Sequence, residues 1–291
     1  MEKSNIFILP ANVVGNKLAL PVKFITFSDG SETCQLDEYL VGDVIVDVRV
    51  ETVNRDLVRI GLVKDALDRM EKVNRVELFM PYMPQARADR KFSDGMPLPL
   101  KVFTSILNSF KFDLVTVIDP HSDVTSALID NVAVIQQHEA FNSYEFSEQI
   151  KKFLMYKPLI VSPDIGASKK IYDLAKSLES PEFVQALKIR DVLTGAIVKC
   201  EVQCEDLKGR NVLIADDISD GGASFLHLAK LLKKEHNAGD VMLYVSHGIF
   251  SKGLEPFKGV IDLIVINNIV GNYINKHEVD QFNYLSFMSK Q

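Results

Sequence analysis

The chain has 291 residues, enough for two domains of ordinary size, and its 47% hydrophobic content supplies core for both. A net charge of −6 and a pI near 5.6 argue against a general nucleic-acid or anionic-membrane binder, so any polyanionic ligand must be met by locally clustered Lys and Arg. Cys34, Cys200 and Cys204 are odd in number and lack nearby His partners, which argues against zinc. The apolar run Ile6-Phe-Ile-Leu9 is too short for a signal-peptide core and no later run approaches a membrane span, so a reducing cytoplasm is expected.

Strand-like runs are predicted at Asp43–Val50, Arg75–Met80, Asp113–Asp119, Pro158–Ser162, Asn211–Ala215, Asp240–Ser246 and Ile261–Asn267, with helical stretches between them. That alternation predicts an α/β fold with mainly parallel sheets and crossover helices. Arg75-Val-Glu-Leu-Phe-Met-Pro followed by Phe112-Asp-Leu has the same form as Asp240-Val-Met-Leu-Tyr-Val-Ser followed by Ile261-Asp-Leu. The repeat suggests two similar domains, residues 1–140 and 141–273, divided where the polar stretch Gln136–Ser143 interrupts the pattern. A tail, 274–291, is expected to pack back on a domain or to fray.

Six segments carry candidate chemistry. In Lys23–Thr33, Phe27 offers a stacking face and Asp29 a polar handle, with Glu32 close by, although an ordinary turn between strands explains the same residues. Met80–Lys91 follows a buried strand and places Arg87, Asp89, Arg90 and Lys91 on a proline-stiffened loop, suited to a triphosphate or to plain solvation. Asp119-Pro-His121 emerges from another strand end, where a His beside acids suits a metal or phosphate. Ser162-Pro-Asp164-Ile-Gly166 repeats the order of strand, acid and glycine turn; Asp164 is either a helix cap or a site acid, and Lys169 and Lys170 are open to plain solvation. Lys188 and Arg190 share one side of an extended segment, and Val192–Ala196 looks able to form a mobile flap. Finally, Val212-Leu-Ile-Ala-Asp216-Asp217-Ile-Ser-Asp220-Gly221-Gly222-Ala223-Ser224 joins a buried strand, an acid pair and a small-residue loop to a helix start. The acids can accept from vicinal sugar hydroxyls or hold a divalent metal, and the loop can seat a phosphate.

The 212–224 segment resembles the phosphoribosylpyrophosphate-binding motif shared by type I phosphoribosyltransferases and ribose-phosphate pyrophosphokinases. The Pro81-Tyr-Met-Pro-Gln-Ala-Arg87-Ala-Asp89-Arg90-Lys91 block resembles one that the pyrophosphokinases alone carry. Together with the other four segments, in the same order over residues 23–270, they identify the chain as similar to ribose-phosphate pyrophosphokinases. The resemblance implies two phosphoribosyltransferase-type domains and transfer of the β,γ-diphosphoryl group of MgATP to the 1-hydroxyl of ribose 5-phosphate. It implies an ATP site of Phe27, Asp29, Glu32, Arg87, Asp89, Lys91 and His121, and Mg²⁺ ligands His121 and Asp164. Lys188 and Arg190 become the catalytic residues, and Asp216, Asp217, Asp220, Gly221, Gly222, Ala223 and Ser224 the ribose 5-phosphate site. It further implies a homo-oligomer, dimer or hexamer, with the ATP site near a subunit interface. Departures are Ala88 where the family has Gln, Phe92-Ser-Asp-Gly-Met96 in place of a basic, serine-containing loop, and one extra residue before Glu32. A phosphoribosyltransferase without the ATP loop and a catalytically silent nucleotide-binding relative are the rival readings.

Overall fold

The computed structural model describes residues 4–10, 19–143, 148–180, 182–190, 197–271 and 273–274; the side chains of residues 10, 188–190 and 197–200 lie outside that description, as does the tail beyond 274. The chain divides after Ile135 into two compact units.

The first unit contains β1 (Ile6–Pro10), β2 (Leu20–Pro21), β3 (Lys23–Thr26), β4 (Glu32–Gln35), β5 (Gly42–Val48), α1 (Val53–Asp68), β6 (Val73–Phe79), α2 (Pro99–Ser109), β7 (Leu114–Ile118), α3 (Val124–Leu128) and β8 (Val132–Ile135). Its sheet has the order β2-β1-β5-β6-β7-β8, parallel from β5 onward and antiparallel at the β2-β1-β5 edge. Strands β3 and β4 form a separate antiparallel hairpin. The second unit contains α4 (Gln137–Asn142), α5 (Glu148–Met155), β9 (Leu159–Ser162), α6 (Ser168–Ser177), β10 (Phe183–Arg190), β11 (Ile197–Val202), β12 (Val212–Ser219), α7 (Ala223–Glu235), β13 (Val241–Gly248) and β14 (Leu263–Ile269). Its sheet runs β11-β10-β9-β12-β13-β14, parallel except for the β11 edge. The α/β architecture expected from the alternating runs is present, with mainly parallel sheets flanked by helices.

Why the strands read as unbroken apolar runs is clear from the second sheet, which is covered on both faces. Every residue of β13 is buried. Successive side chains point to opposite faces. Val161, Ile214, Leu243, Val245, Ile264 and Ile266 join the core under Phe225, Leu228, Ala229 and Leu232 of α7. Their neighbours Ile160, Leu213, Ala215, Met242, Tyr244 and Val265 join Phe141, Ile150, Phe153, Ile171 and Leu174 of the helices on the other side. Helix α4 belongs to this unit: the Tyr244 hydroxyl donates to the Gln137 carbonyl at 3.0 Å, and the Tyr244 ring meets Phe141 edge-on at 4.6 Å.

The internal repeat has a structural counterpart. In the first unit the Val76 N–H donates to Asp113 Oδ2 at 2.7 Å while the Asp113 N–H donates to the Val76 carbonyl at 3.0 Å. In the second, the Val241 N–H donates to Asp262 Oδ2 at 2.7 Å and the Asp262 N–H to the Val241 carbonyl at 2.8 Å. Each aspartate closes the lower end of a parallel strand pair, where one backbone N–H would otherwise go unmatched. Asp113→Ala and Asp262→Ala are each expected to cost about 1–3 kcal/mol, the range for leaving such a donor unsatisfied, measured as a lowered urea midpoint with the slope unchanged.

Candidate functional site

Strand β12 carries Asp216 and Asp217 in its carboxyl-terminal half and ends at Ser219, and the turn Asp220–Ser224 leads into α7. Gly222 sits at the helix N-cap with φ of 73°, and a β-carbon there would lie 2.1 Å from Cζ of the buried Phe257 ring. That ring is fixed in turn by an edge-on contact with Phe250 at 5.3 Å. Gly222 is therefore required both by its left-handed backbone and by the aromatic floor beneath it. Gly221 differs: a β-carbon there would make only ordinary contact, 3.5 Å from Cε of Lys252. Space for a β-carbon is therefore present at Gly221, unlike at Gly222. The turn is clipped to the β13–β14 connection, with the Ile249 N–H donating to the Ser219 carbonyl at 2.8 Å and Ser251 Oγ to Asp220 Oδ1 at 2.5 Å.

The corresponding turn of the first unit, between β5 and α1, shows what such a turn holds. There the Glu51 and Thr52 N–H groups donate to Asp56 Oδ2 at 2.7 and 2.8 Å, and Asp56 is 1% exposed. A carboxylate of the chain itself holds these two N–H groups. In the second unit the first turn of α7 carries no acidic residue, and glycine at its N-cap offers no side-chain acceptor.

Negative charge is concentrated beside this turn. Burial first, then the charges of Asp217 and Asp164, pushes the Asp216 carboxyl well above the usual carboxylate range. The Asp217 N–H donates to Asp216 Oδ1 at 2.9 Å, and Lys170 Nζ lies 3.6 Å from Asp217 Oδ2. Asp164 turns back so that its Oδ1 accepts from the Ala167 N–H at 3.3 Å, and a β-carbon on Gly166 would lie 3.3 Å from that same oxygen. It thus caps the turn before α6, and its charge also acts on the acid pair. Lys170 was legible only as a surface lysine; its partner is 47 positions away, on a strand that pairs with β9.

In the first unit, the loop after β6 is tied to β7 by hydrogen bonds from the Met80 N–H to the Thr116 carbonyl and from the Ile118 N–H to the Pro81 carbonyl. Asp89 Oδ2 accepts from Ser122 Oγ at 2.6 Å, joining the basic block to the Asp-Pro-His segment. Arg87, Asp89, Lys91 and His121 thus lie on two connected loops at the carboxyl ends of adjacent strands. Arg87, Lys91 and His121 are exposed, whereas Asp119 is 1% exposed with φ of 39°. Lys91 Nζ meets Asp94 at 2.5 Å and the Arg90 guanidinium lies over the Phe92 ring at 5.4 Å. Exposed pairs of this kind are held weakly and yield to a polyanion.

At the β3–β4 hairpin, Phe27 is 53% exposed at the tip. Asp29 Oδ1 accepts from the Ser31 hydroxyl at 2.7 Å and its N–H at 3.0 Å, which hold this exposed carboxyl below its ordinary range. Glu32 is engaged by Arg59 of α1 through Nε at 2.7 Å and the terminal nitrogen at 2.5 Å, and hydrogen bonding from Arg59 is the main cause of its lowered pKa. The Arg59 guanidinium also lies over the Phe24 ring at 4.4 Å. Glu32 therefore anchors the hairpin that presents Phe27. Arg59 is a positioning residue that the sequence did not single out.

Lys188 and Arg190 lie on the part of β10 that extends past β9 and pairs only with β11, opposite Cys200 and Ile197. A bulge falls between Ile189 and Arg190, so the strict alternation expected of a regular strand does not run through this step. The flap expected at 192–196 lies outside the described residues. Among the described residues, no three His, Cys, Asp or Glu side chains form a ready-made metal cluster, and no helix is long and apolar enough to cross a membrane.

The two glycines differ in what the fold asks of them. Gly222→Ala is expected to destabilise by about 2–5 kcal/mol, combining left-handed strain with overpacking against Phe257, whereas Gly221→Ala leaves the thermal midpoint nearly unchanged. An aspartate raised in the folded state holds its proton more tightly there than in the unfolded chain. Its ionisation therefore costs stability as pH climbs from the ordinary carboxylate range through the raised value. Asp216→Asn is accordingly expected to raise the thermal midpoint above that of the parent at pH 8, with the advantage vanishing below about pH 4, where both states of the parent are protonated.

Residues 11–110 match the family profile described as the N-terminal domain of ribose phosphate pyrophosphokinase. The chain is similar to the ribose-phosphate pyrophosphokinase of Shewanella oneidensis, 30% identical over 84% of this chain and 76% of that protein. It is also similar to that of Campylobacter jejuni, 29% identical over 93% of this chain and 88% of that one. The crystal structure of phosphoribosylpyrophosphate synthetase from Mycobacterium smegmatis shares the fold with a TM-score of 0.73, covering 91% of this chain and 85% of that one at 22% identity. The glycine turn before α7, the acid pair beside it and the basic block of the first unit thus belong to a chain of the ribose-phosphate pyrophosphokinase family.

Proposed function

We propose that the chain forms phosphoribosylpyrophosphate and AMP from ATP and ribose 5-phosphate. The observation that carries the assignment of the sugar site is the contrast between the two turns: the N–H groups of one are held by Asp56, whereas the first turn of α7, beside Asp216 and Asp217, carries no acidic residue. The 5-phosphate sits on the backbone N–H groups of Asp220–Ser224 at the start of α7. Asp216 and Asp217 accept from the ribose hydroxyls, which supply donors to a carboxyl raised first by burial and then by the neighbouring like charges.

ATP is met by the first unit. Phe27 stacks on the base with Asp29 beside it, and Glu32 holds the hairpin through Arg59. Arg87 forks onto the polyphosphate, Lys91 exchanges Asp94 for it, and Asp89 keeps the loop against Ser122. Mg²⁺ when bound neutralises phosphate oxygens. His121 on the ATP side and Asp164 on the ribose side are its proposed ligands. The oxygen-rich set around Asp216 suits a hard cation.

The 1-hydroxyl oxygen of the sugar attacks the β-phosphorus, the bond from that phosphorus to the α,β-bridging oxygen breaks, AMP departs, and the hydroxyl proton passes to solvent. Charge builds on the β-phosphoryl oxygens during this displacement. Lys188 and Arg190 are the cations proposed to stabilise it, more strongly in the transition state than before it. Exposed Ile25 and Phe27 on the hairpin support a homo-oligomer with the ATP site at an interface, and a cytoplasmic location goes with this chemistry.

Phosphorus NMR of the full chain with ATP, Mg²⁺ and ribose 5-phosphate is expected to show equimolar AMP and phosphoribosylpyrophosphate. Turnover is expected to be indifferent to added inorganic phosphate, because Phe92–Met96 stands where the family carries its basic loop. Nucleotide binding without AMP release would instead favour the silent regulatory reading.

A further inference from the structure

The connection between β13 and β14 brings a second cation to the phosphate turn. Lys252 follows Ser251, whose hydroxyl is bonded to Asp220, and the turn is closed by the Gly253 N–H donating to the Phe250 carbonyl at 2.8 Å, with Phe250 at φ of 45°. The backbone around Lys252 is thus fixed on both sides. Its stem runs over Gly221: measured from a β-carbon built on that glycine, Cγ, Cδ and Cε of Lys252 lie at 3.9, 3.6 and 3.5 Å. The side chain is exposed and forms no ion pair among the described residues; the nearby Glu255 is paired with Lys258. An ammonium ion carried by an apolar stem across the backbone of an anion-binding turn places its charge where a phosphate would arrive.

Resting on the proposed reaction, we propose that Lys252 is a ligand of the ribose 5-phosphate 5-phosphate, closing over the anion from the side opposite the α7 N–H groups. It adds a point charge to backbone donors that alone carry only partial charges. The role is in substrate binding: the 5-phosphate is remote from the reacting 1-hydroxyl, so its loss acts on sugar affinity rather than on the chemical step.

The test uses the full chain with Lys252→Ala and Lys252→Arg. The alanine variant is expected to raise KM for ribose 5-phosphate about tenfold or more, the usual effect of removing one charge-assisted contact, with kcat and KM for ATP held within about twofold. Arginine is expected to recover most of the loss. Ribose 5-phosphate is expected to raise the thermal midpoint of the parent protein more than that of the alanine variant, whereas unphosphorylated ribose acts alike on both. An unchanged KM for the sugar phosphate would overturn the assignment of Lys252. If the parent protein forms no phosphoribosylpyrophosphate, the reaction itself is wrong, and the thermal shift still decides the residue: an equal shift in parent and variant, or none in either, overturns it.

Discussion

Two carboxylates at the end of a buried parallel strand, with a third acid close by, set the terms for the rest of the second unit. Asp216 is crowded by Asp217 and Asp164, and Lys170 lies 3.6 Å from Asp217. Such a group is costly for the fold to keep. It is tolerable where a ligand rich in hydroxyl donors, or a hard cation, completes it. The same crowding accounts for the surroundings: a turn that places N–H groups next to the acids, a glycine that lets Asp164 fold back, and a lysine on the neighbouring helix.

The two units share a plan and differ at the strand end where chemistry is done. The hydrogen bonds of Asp113 and Asp262 fix equivalent positions in the β6–β7 and β13–β14 pairs. The strand pairing of Val44 with Val76 and of Val212 with Val241 extends the equivalence to β5 and β12. Counting on four residues, Val48 and Arg49 stand where Asp216 and Asp217 stand in the other unit. Arg49 turns back to the buried Asp47, whose carboxyl is raised by burial despite that partner. One copy of the scaffold keeps its polar groups for itself, and its loops after β6 and β7 carry the basic and histidine segments instead.

How much of this could be read from the chain depends on the range of the contact concerned. The buried strands were legible because covered parallel strands are apolar without interruption, and β12, β13 and β14 lie within a few residues of their expected places. The short strands β1, β2 and β8 were not, because each is stabilised by partners elsewhere in the sheet rather than by its own pattern. Motif residues were legible as types at fixed spacing. The roles of Glu32, Lys170 and Lys252 were not, since Arg59, Asp217 and Gly221 reach them only through the fold. The pairing of Lys188 with Arg190 rested on regular alternation, which a bulge interrupts and no local sequence signal announced.

The buried Asp56 has a consequence for stoichiometry. A repeated scaffold ordinarily offers repeated seats, and two similar strand-to-helix turns in one chain would suggest two phosphate sites of graded affinity. Here the first seat is filled by a tethered carboxylate at an effective concentration that no dissolved anion matches. On the proposed reaction the first turn then adds no second sugar-phosphate site, and the duplication multiplies the framework without multiplying the substrate.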